Sequence, residues 1–188
     1  MDTIDKTTGL PSRLAFEAGV ELAIRQGHGF GVLFCDIDLM KLVNDVLGYE
    51  VGDRVLERAG DALYSTPDVC LASRSASDEF AALAFCTKSH FADVVAAAWT
   101  AVTVALKPFS TEQLSARGLA RIEVMRRAAW DVDAGLTWRH ARHPLGVTMT
   151  AVWVPAGSAF TAQRLIPMLS ESVFDLRIRQ GSGFTVIL

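Results

Sequence analysis

From Phe30 the chain runs through Gly31-Val32-Leu33-Phe34-Cys35 without helical period and then meets Asp36-Ile37-Asp38. A short apolar run of this kind reads as a buried strand with an acidic end. A strand buried along its length sits inside a sheet covered by other layers, and the flanking sequence has to supply them.

The flanking sequence alternates in the required way. Leu14, Ala15, Ala18, Leu22 and Ala23 recur at helical spacing between Pro11 and Gln26, and Gly27-His28-Gly29 closes that helix. A second helix is expected from about Val51 to Tyr64, with Val55, Leu56, Ala59 and Leu63 inward. After Pro67-Asp68, Val69 to Ala72 and Phe80 to Phe85 read as a hairpin. Phe91 to Leu106 is the next helix, which Pro108 is expected to stop. Val147 to Val154 is a β-branched strand, Leu165 to Gln180 a helix with Pro167 near its start, and Phe184 to Leu188 a last strand. This order implies an α/β (α+β) sandwich built on one mixed sheet flanked by helices. The 188 residues make one domain.

Composition narrows the functional classes. The net charge of −3 argues against broad nucleic-acid binding. Cys35, Cys70 and Cys86 lack Cys-x-x-Cys spacing, lie in apolar surroundings and read as core thiols of a reduced cytoplasm. No run is expected to span a membrane: Val94 to Leu106 is interrupted by Thr100 and Thr103 and reads as a buried helix. The first residues have no signal-peptide character. His140 and His143 lie in an Arg-rich stretch before Pro144 and read as a solvated loop rather than a zinc site. Leu114, Leu119, Ile122 and Met125 suggest an amphipathic helix whose other side carries Arg117, Arg121, Arg126 and Arg127, a solvated face or a partner surface.

The chemistry concentrates at the strand's acidic end. Alternation points Asp36 and Asp38 the same way, Lys41 and Asn44-Asp45 follow, and Gly48 to Asp53 leads into a helix. On the hairpin, Arg74-Ser75-Ala76-Ser77-Asp78-Glu79-Phe80 brings two more carboxylates toward Asp36. Carboxylates near a lysine are what magnesium-assisted phosphoryl or nucleotidyl transfer requires.

With these residues assembled, the chain resembles the GGDEF family, the diguanylate cyclases. Asp5-Lys6-Thr7-Thr8-Gly9-Leu10-Pro11-Ser12-Arg13 is similar to the family's D-x-L-T-G-L-P-N-R. Asp36 to Asp45 is similar to D-x-D-x-F-K-x-x-N-D, and Gly48 to Leu56 to G-H-x-x-G-D-x-V-L. Ser170 to Arg177 faintly echoes A-D-x-A-L-Y-x-A-K. The resemblance implies a palm-like nucleotidyl-cyclase fold in which two subunits join two GTP into cyclic di-GMP. It implies Mg2+ (or Mn2+) held by Asp36, Asp78 and the carbonyl of Ile37. Glu79 would support the metals or help deprotonate the 3′-hydroxyl. Lys41 and Arg177 would bind phosphate, and Asn44 and Asp53 guanine.

The departures shape the expectation. Ala76 and Ser77 replace the two glycines of the signature, where a tight turn commonly needs positive φ. Their Cβ atoms crowd the nucleotide, although Ser77 offers a hydroxyl to phosphate. Met40, Leu39 and Tyr49 replace a Phe, a polar residue and a His. The inhibitory Arg-x-x-Asp position reads Pro67-Asp68-Val69-Cys70, which implies no cyclic di-GMP site there. Gly181-Ser182-Gly183 stands for a late Gly-Arg-Asn, and the segment at about 108–144 is longer than the family's. The expected function is a cytoplasmic, homodimeric domain with weak or conditional cyclase activity. The alternative is an inactive nucleotide-binding or dimerising module, and a third reading is a scaffold that uses the Arg-rich insert.

Overall fold

A computed structural model describes residues 3–110, 145–180 and 183–187. Among these residues five strands form one mixed sheet in the order β2-β3-β1-β4-β5. They are β1 (Phe30–Ile37), β2 (Val69–Arg74), β3 (Glu79–Ala84), β4 (Val147–Val154) and β5 (Gly183–Ile187). The central strand β1 pairs antiparallel with β3 and β4, β2 is antiparallel to β3, and β5 runs parallel to β4. This is the helix-flanked mixed sheet that the alternation implied.

Alternation along β1 divides the interior into two cores. Leu33, Cys35 and Ile37 join one core with helices α2 (Met40–Leu47), α3 (Tyr49–Tyr64) and α4 (Phe91–Ser110). Phe30, Val32 and Phe34 join the other with α1 (Arg13–Gln26) and α5 (Ala162–Gln180). Helices on both faces exclude water from the strand's whole length, which is why it is apolar at every position up to Asp36.

Several boundaries and faces differ from expectation. On α1 the buried stripe is Phe16, Val20 and Ala23, while Leu14 and Leu22 are exposed; the phenylalanine and valine fill more of the core than the alanines of the other stripe. Gly27 ends α1 at φ 73, the left-handed cap that glycine adopts without strain. On α3 the four residues expected inward are all buried.

α4 continues through Pro108 to Ser110. A proline in the last turn forfeits a single helical hydrogen bond, and the buried Val102 and Leu106 hold that turn in place. α5 begins before Leu165, at Ala162. The Ala162 amide donates to Glu21 Oε1 (2.9 Å) and the Arg164 amide to the Thr161 carbonyl (3.0 Å), so the first turn is capped upstream of Pro167. Pro167 and Gln163, whose carbonyl loses its helical partner, are both exposed to water.

The eight-residue α2 was not expected. It is entered through Leu39 in a left-handed conformation at φ 66 and lacks a side-chain cap, so the usual start signals are missing.

Among the described residues one stretch, Lys88–Phe109, is long and apolar enough to cross a membrane. This corrects the expectation that no run reaches that length: the residues on either side of Val94–Leu106 lengthen it to 22. In this fold α4, which makes up most of the stretch, packs against α3, β4 and β5. Cys70 is also corrected. It is exposed, because the β2–β3 register shifts between Val69 and Leu71, and its Sγ lies 3.2 Å from the Leu83 carbonyl. The suggested helix around Leu114 to Met125, its arginines, His140 and His143 lie outside the described residues.

Candidate functional site

The site forms where β1 ends. Antiparallel pairing sets Asp36 opposite Glu79 on β3 and Thr148 on β4. The Ile37 amide donates to the Asp78 carbonyl (3.0 Å), tying the hairpin loop to the strand end. Asp38 continues the alternation past the strand and is buried. Its carboxylate accepts the Thr148 hydroxyl at 2.9 Å, and its amide donates to the Gly146 carbonyl at 3.0 Å.

Arg177, in the last turn of α5, reaches over this end of the sheet. Its Nη2 donates to Asp36, and its Nε lies 2.8 Å from Asp38 Oδ1. That second contact is a charge pair without hydrogen-bond alignment. The Asp36 carboxyl is pushed up to about 7: burial raises it most, Arg177 offsets part of that, and Asp78 and Asp38 add to the rise. Glu79 is raised too, first by burial and then by Asp78. Arg13, Ser170 and Arg177 offset part of this, and the Ser170 hydroxyl lies 3.5 Å from Glu79 Oε1.

Beside the carboxylates a cleft of about 400 Å³ opens between α2, α3 and the hairpin loop. Lys41, Asn44, Asp53, Ser77 and Asp78 line it together, with Met40 and Leu56 as apolar wall. Asn44 and Asp53 sit on different helices. They converge because α2 turns into α3 at Gly48, which has φ 88 and donates its amide to the Asn44 carbonyl. Gly52 is the seat of the Asn44 side chain: a Cβ at Gly52 would lie 1.9 Å from Asn44 Oδ1. Asp36, Ile37, Glu79 and Arg177 are not among the lining residues, and Ala76 is exposed on the loop.

The turn is built differently from the sequence expectation. Among the described residues, positive φ outside glycine occurs at Leu39 and Asp68, not at Ala76 or Ser77. Four residues, Ser75 to Asp78, connect β2 to β3. Both the Ser75 and Ala76 amides donate to the Glu79 carbonyl (2.8 and 3.3 Å). The longer loop removes the need for left-handed residues. Arg74 fastens it, donating from Nε to the Ala76 and Ser77 carbonyls (both 3.1 Å) and from Nη2 to Ser77 (2.6 Å). Its Nη1 donates to Asp5 at 3.2 Å. The Ser77 hydroxyl donates to Asp78 Oδ1 at 2.6 Å. Arg74 and Gly52 were not singled out from the sequence. Arg74 gave a signal by heading the hairpin motif, but nothing local paired it with Asp5.

The residues present suit a hard divalent cation. The carboxylates of Asp36, Asp38, Asp78 and Glu79 gather at this end of the sheet, Arg177 contacts Asp36 and Asp38, and a cation there would relieve the repulsion that Asp78 adds to burial at Asp36 and Glu79. Among the described residues no group of three His, Cys, Asp or Glu side chains is already drawn together for a metal.

The sequence model of the family described as "Diguanylate cyclase, GGDEF domain" matches residues 2–125. The chain belongs to the GGDEF family. Similar solved structures include the GGDEF domain of YfiN (TpbB) from Pseudomonas aeruginosa, with a TM-score of 0.70 at 21% identity. That match covers 98% of this chain and 94% of the other. The GGDEF domain of DgcB from Caulobacter crescentus, solved with c-di-GMP, gives 0.67 at 17% identity, covering 99% and 96%. These likenesses establish the GGDEF fold. Among sequence relatives, the cyclic di-GMP phosphodiesterase NbdA of Pseudomonas aeruginosa is 35% identical over 100 residues, 50% of this chain and 13% of that protein. The phosphodiesterase PdeR of Escherichia coli is 35% identical over 96 residues, 49% and 14%. This GGDEF chain therefore spans a small fraction of those relatives.

Proposed function

We propose that this GGDEF domain binds GTP in the cleft and condenses two GTP into cyclic di-GMP, with weak or conditional turnover in a homodimer. The observation that carries this reading is the convergence of Lys41, Asn44, Asp53 and Asp78 on one cleft beside Asp36. Asn44 and Asp53 present an amide and a carboxylate suited to the guanine edge. Lys41 and Arg177 supply positive charge for phosphate oxygens. Asp36, Asp78 and the Ile37 carbonyl would hold Mg2+ or Mn2+, with Glu79 supporting them or accepting the 3′-hydroxyl proton. When bound, such a cation neutralises phosphate charge and acidifies the attacking hydroxyl. A cytoplasmic site, with GTP at hand, fits this role.

Two observations favour a second reading, an inactive nucleotide-binding or dimerising module. Arg177 is engaged with Asp36 and Asp38, and Ser77 with Asp78. Two relatives that carry a matching segment are named as phosphodiesterases, so a GGDEF segment that serves regulation has a natural context. A protein partner at residues 110–143 belongs to this second reading.

Incubation with GTP and Mg2+, with products separated by chromatography and mass spectrometry, decides between them alongside GTP calorimetry. Cyclic di-GMP that disappears in Asp78→Ala establishes the cyclase. Binding without product leaves the nucleotide-binding module, and neither binding nor product leaves the fold as a dimerising or partner-binding scaffold, with the Arg-rich segment as the place to look.

A further inference from the structure

Asp36 and Arg177 come from β1 and α5, elements far apart in sequence, and both side chains are largely withdrawn from water, 15% and 22% exposed. The guanidinium spans two carboxylates, giving Nη2 to Asp36 and resting Nε on Asp38. Asp38 keeps a second donor, the Thr148 hydroxyl at 2.9 Å, whichever way Arg177 points. The Nε contact lacks hydrogen-bond alignment, so the Asp36 contact is the directional one.

A divalent cation and a guanidinium seek the same lone pairs on a carboxylate and repel each other at close range. Phosphate oxygens are equally good acceptors for the guanidinium fork. We propose that Arg177 is a displaceable internal counter-ion of Asp36: it competes with the divalent cation for that carboxylate and leaves it when a polyphosphate offers its own oxygens. The inference rests on the reading of Asp36 as a metal ligand and assigns that site a regulator. Metal and nucleotide then bind with positive coupling, and by linkage each tightens the other by the same factor. Metal alone is then bound more weakly than it would be without Arg177.

The test is Mn2+ titration of the whole chain without nucleotide, reading free Mn2+ by electron paramagnetic resonance. Wild type, Arg177→Gln and Arg177→Lys are compared, with circular dichroism as a check on folding. Arg177→Gln is expected to bind Mn2+ about tenfold more tightly than wild type, and Arg177→Lys, which keeps the charge, to stay close to wild type. With the Mn2+ held by nucleotide in solution subtracted, a non-hydrolysable GTP analogue should tighten Mn2+ in wild type by about tenfold more than in Arg177→Gln. Unchanged or weaker Mn2+ binding by a folded Arg177→Gln overturns the inference. If Asp36→Asn in the wild-type background still abolishes Mn2+ binding, the metal-site reading survives that failure. If the gain persists in Arg177→Gln combined with Asp36→Asn, Asp36 is not the ligand, and site and inference fall together.

Discussion

Ser77 replaces a glycine yet does not occupy a left-handed conformation, and its hydroxyl is spent on Asp78 at 2.6 Å. The cost expected of a side chain at that position is therefore absent, and what changes is the company kept by the Asp78 carboxylate. Gly52 shows the reverse case, a glycine required by its neighbour rather than by its own φ. An added Cβ there meets the far end of the Asn44 side chain at 1.9 Å, so the helix survives and Asn44 moves. If the cleft binds GTP as proposed, Gly52→Ala is expected to weaken that binding about tenfold while leaving stability unchanged or slightly raised, because alanine favours the helix by up to about 1 kcal/mol. Calorimetry with GTP and ATP checks this. An unchanged preference between the two nucleotides would remove Asn44 from base recognition.

Elements are held together at this end of the molecule by the segment ahead of α1. Thr8 donates its amide and hydroxyl to Asp5 (both 2.8 Å), Arg74 on β2 pairs with the same carboxylate, and the Arg74 amide donates to the Pro11 carbonyl at 3.1 Å. The entry motif and the hairpin loop thus share one guanidinium. Burial pushes the Asp5 carboxyl up, but the two Thr8 hydrogen bonds and Arg74 outweigh it and leave it below the ordinary 3.8. A lowered folded value means that Asp5 stabilises the fold above the ordinary aspartate range and that this contribution is lost as pH falls through the folded value. Asp5→Asn should cost about 1–2 kcal/mol near neutral pH and progressively less in acid, where wild type loses the same interaction. Urea unfolding across that range checks the sign; a gap that widens toward acid contradicts it. Of the helices around the site, α3 was readable from its four inward residues. α2 was missed because its entry is a strained Leu39 instead of a capping side chain.

At the scale of the whole molecule, one sheet covered on both faces brings three separate stretches to a common edge: the end of β1, the hairpin loop and the last turn of α5. The cleft belongs to one subunit, whereas condensation of two GTP needs two clefts facing each other. If the cyclase reading holds, the rate per subunit should rise with protein concentration through the dimerisation range and then level off. A product assay across a dilution series measures it. A rate per subunit independent of concentration, in a protein that ultracentrifugation finds monomeric, would refute the two-subunit scheme.

Local pattern was enough for the strand at Phe30–Ile37, its acidic end at Asp36, the hairpin and the inward face of α3. These depend on alternation, helical period and short spacing, which a chain carries in its order of residues. The partners of those groups were a different matter. That Arg177 lies on Asp36, that Arg74 serves both Asp5 and the hairpin loop, and that Gly52 makes room for Asn44 depend on distances between elements. So does the escape of Ala76 and Ser77 from positive φ, since the length of that loop is set by where β2 and β3 stop pairing. Only the packed fold supplies those distances, because charge pairing and steric exclusion act through space and take no account of separation along the chain.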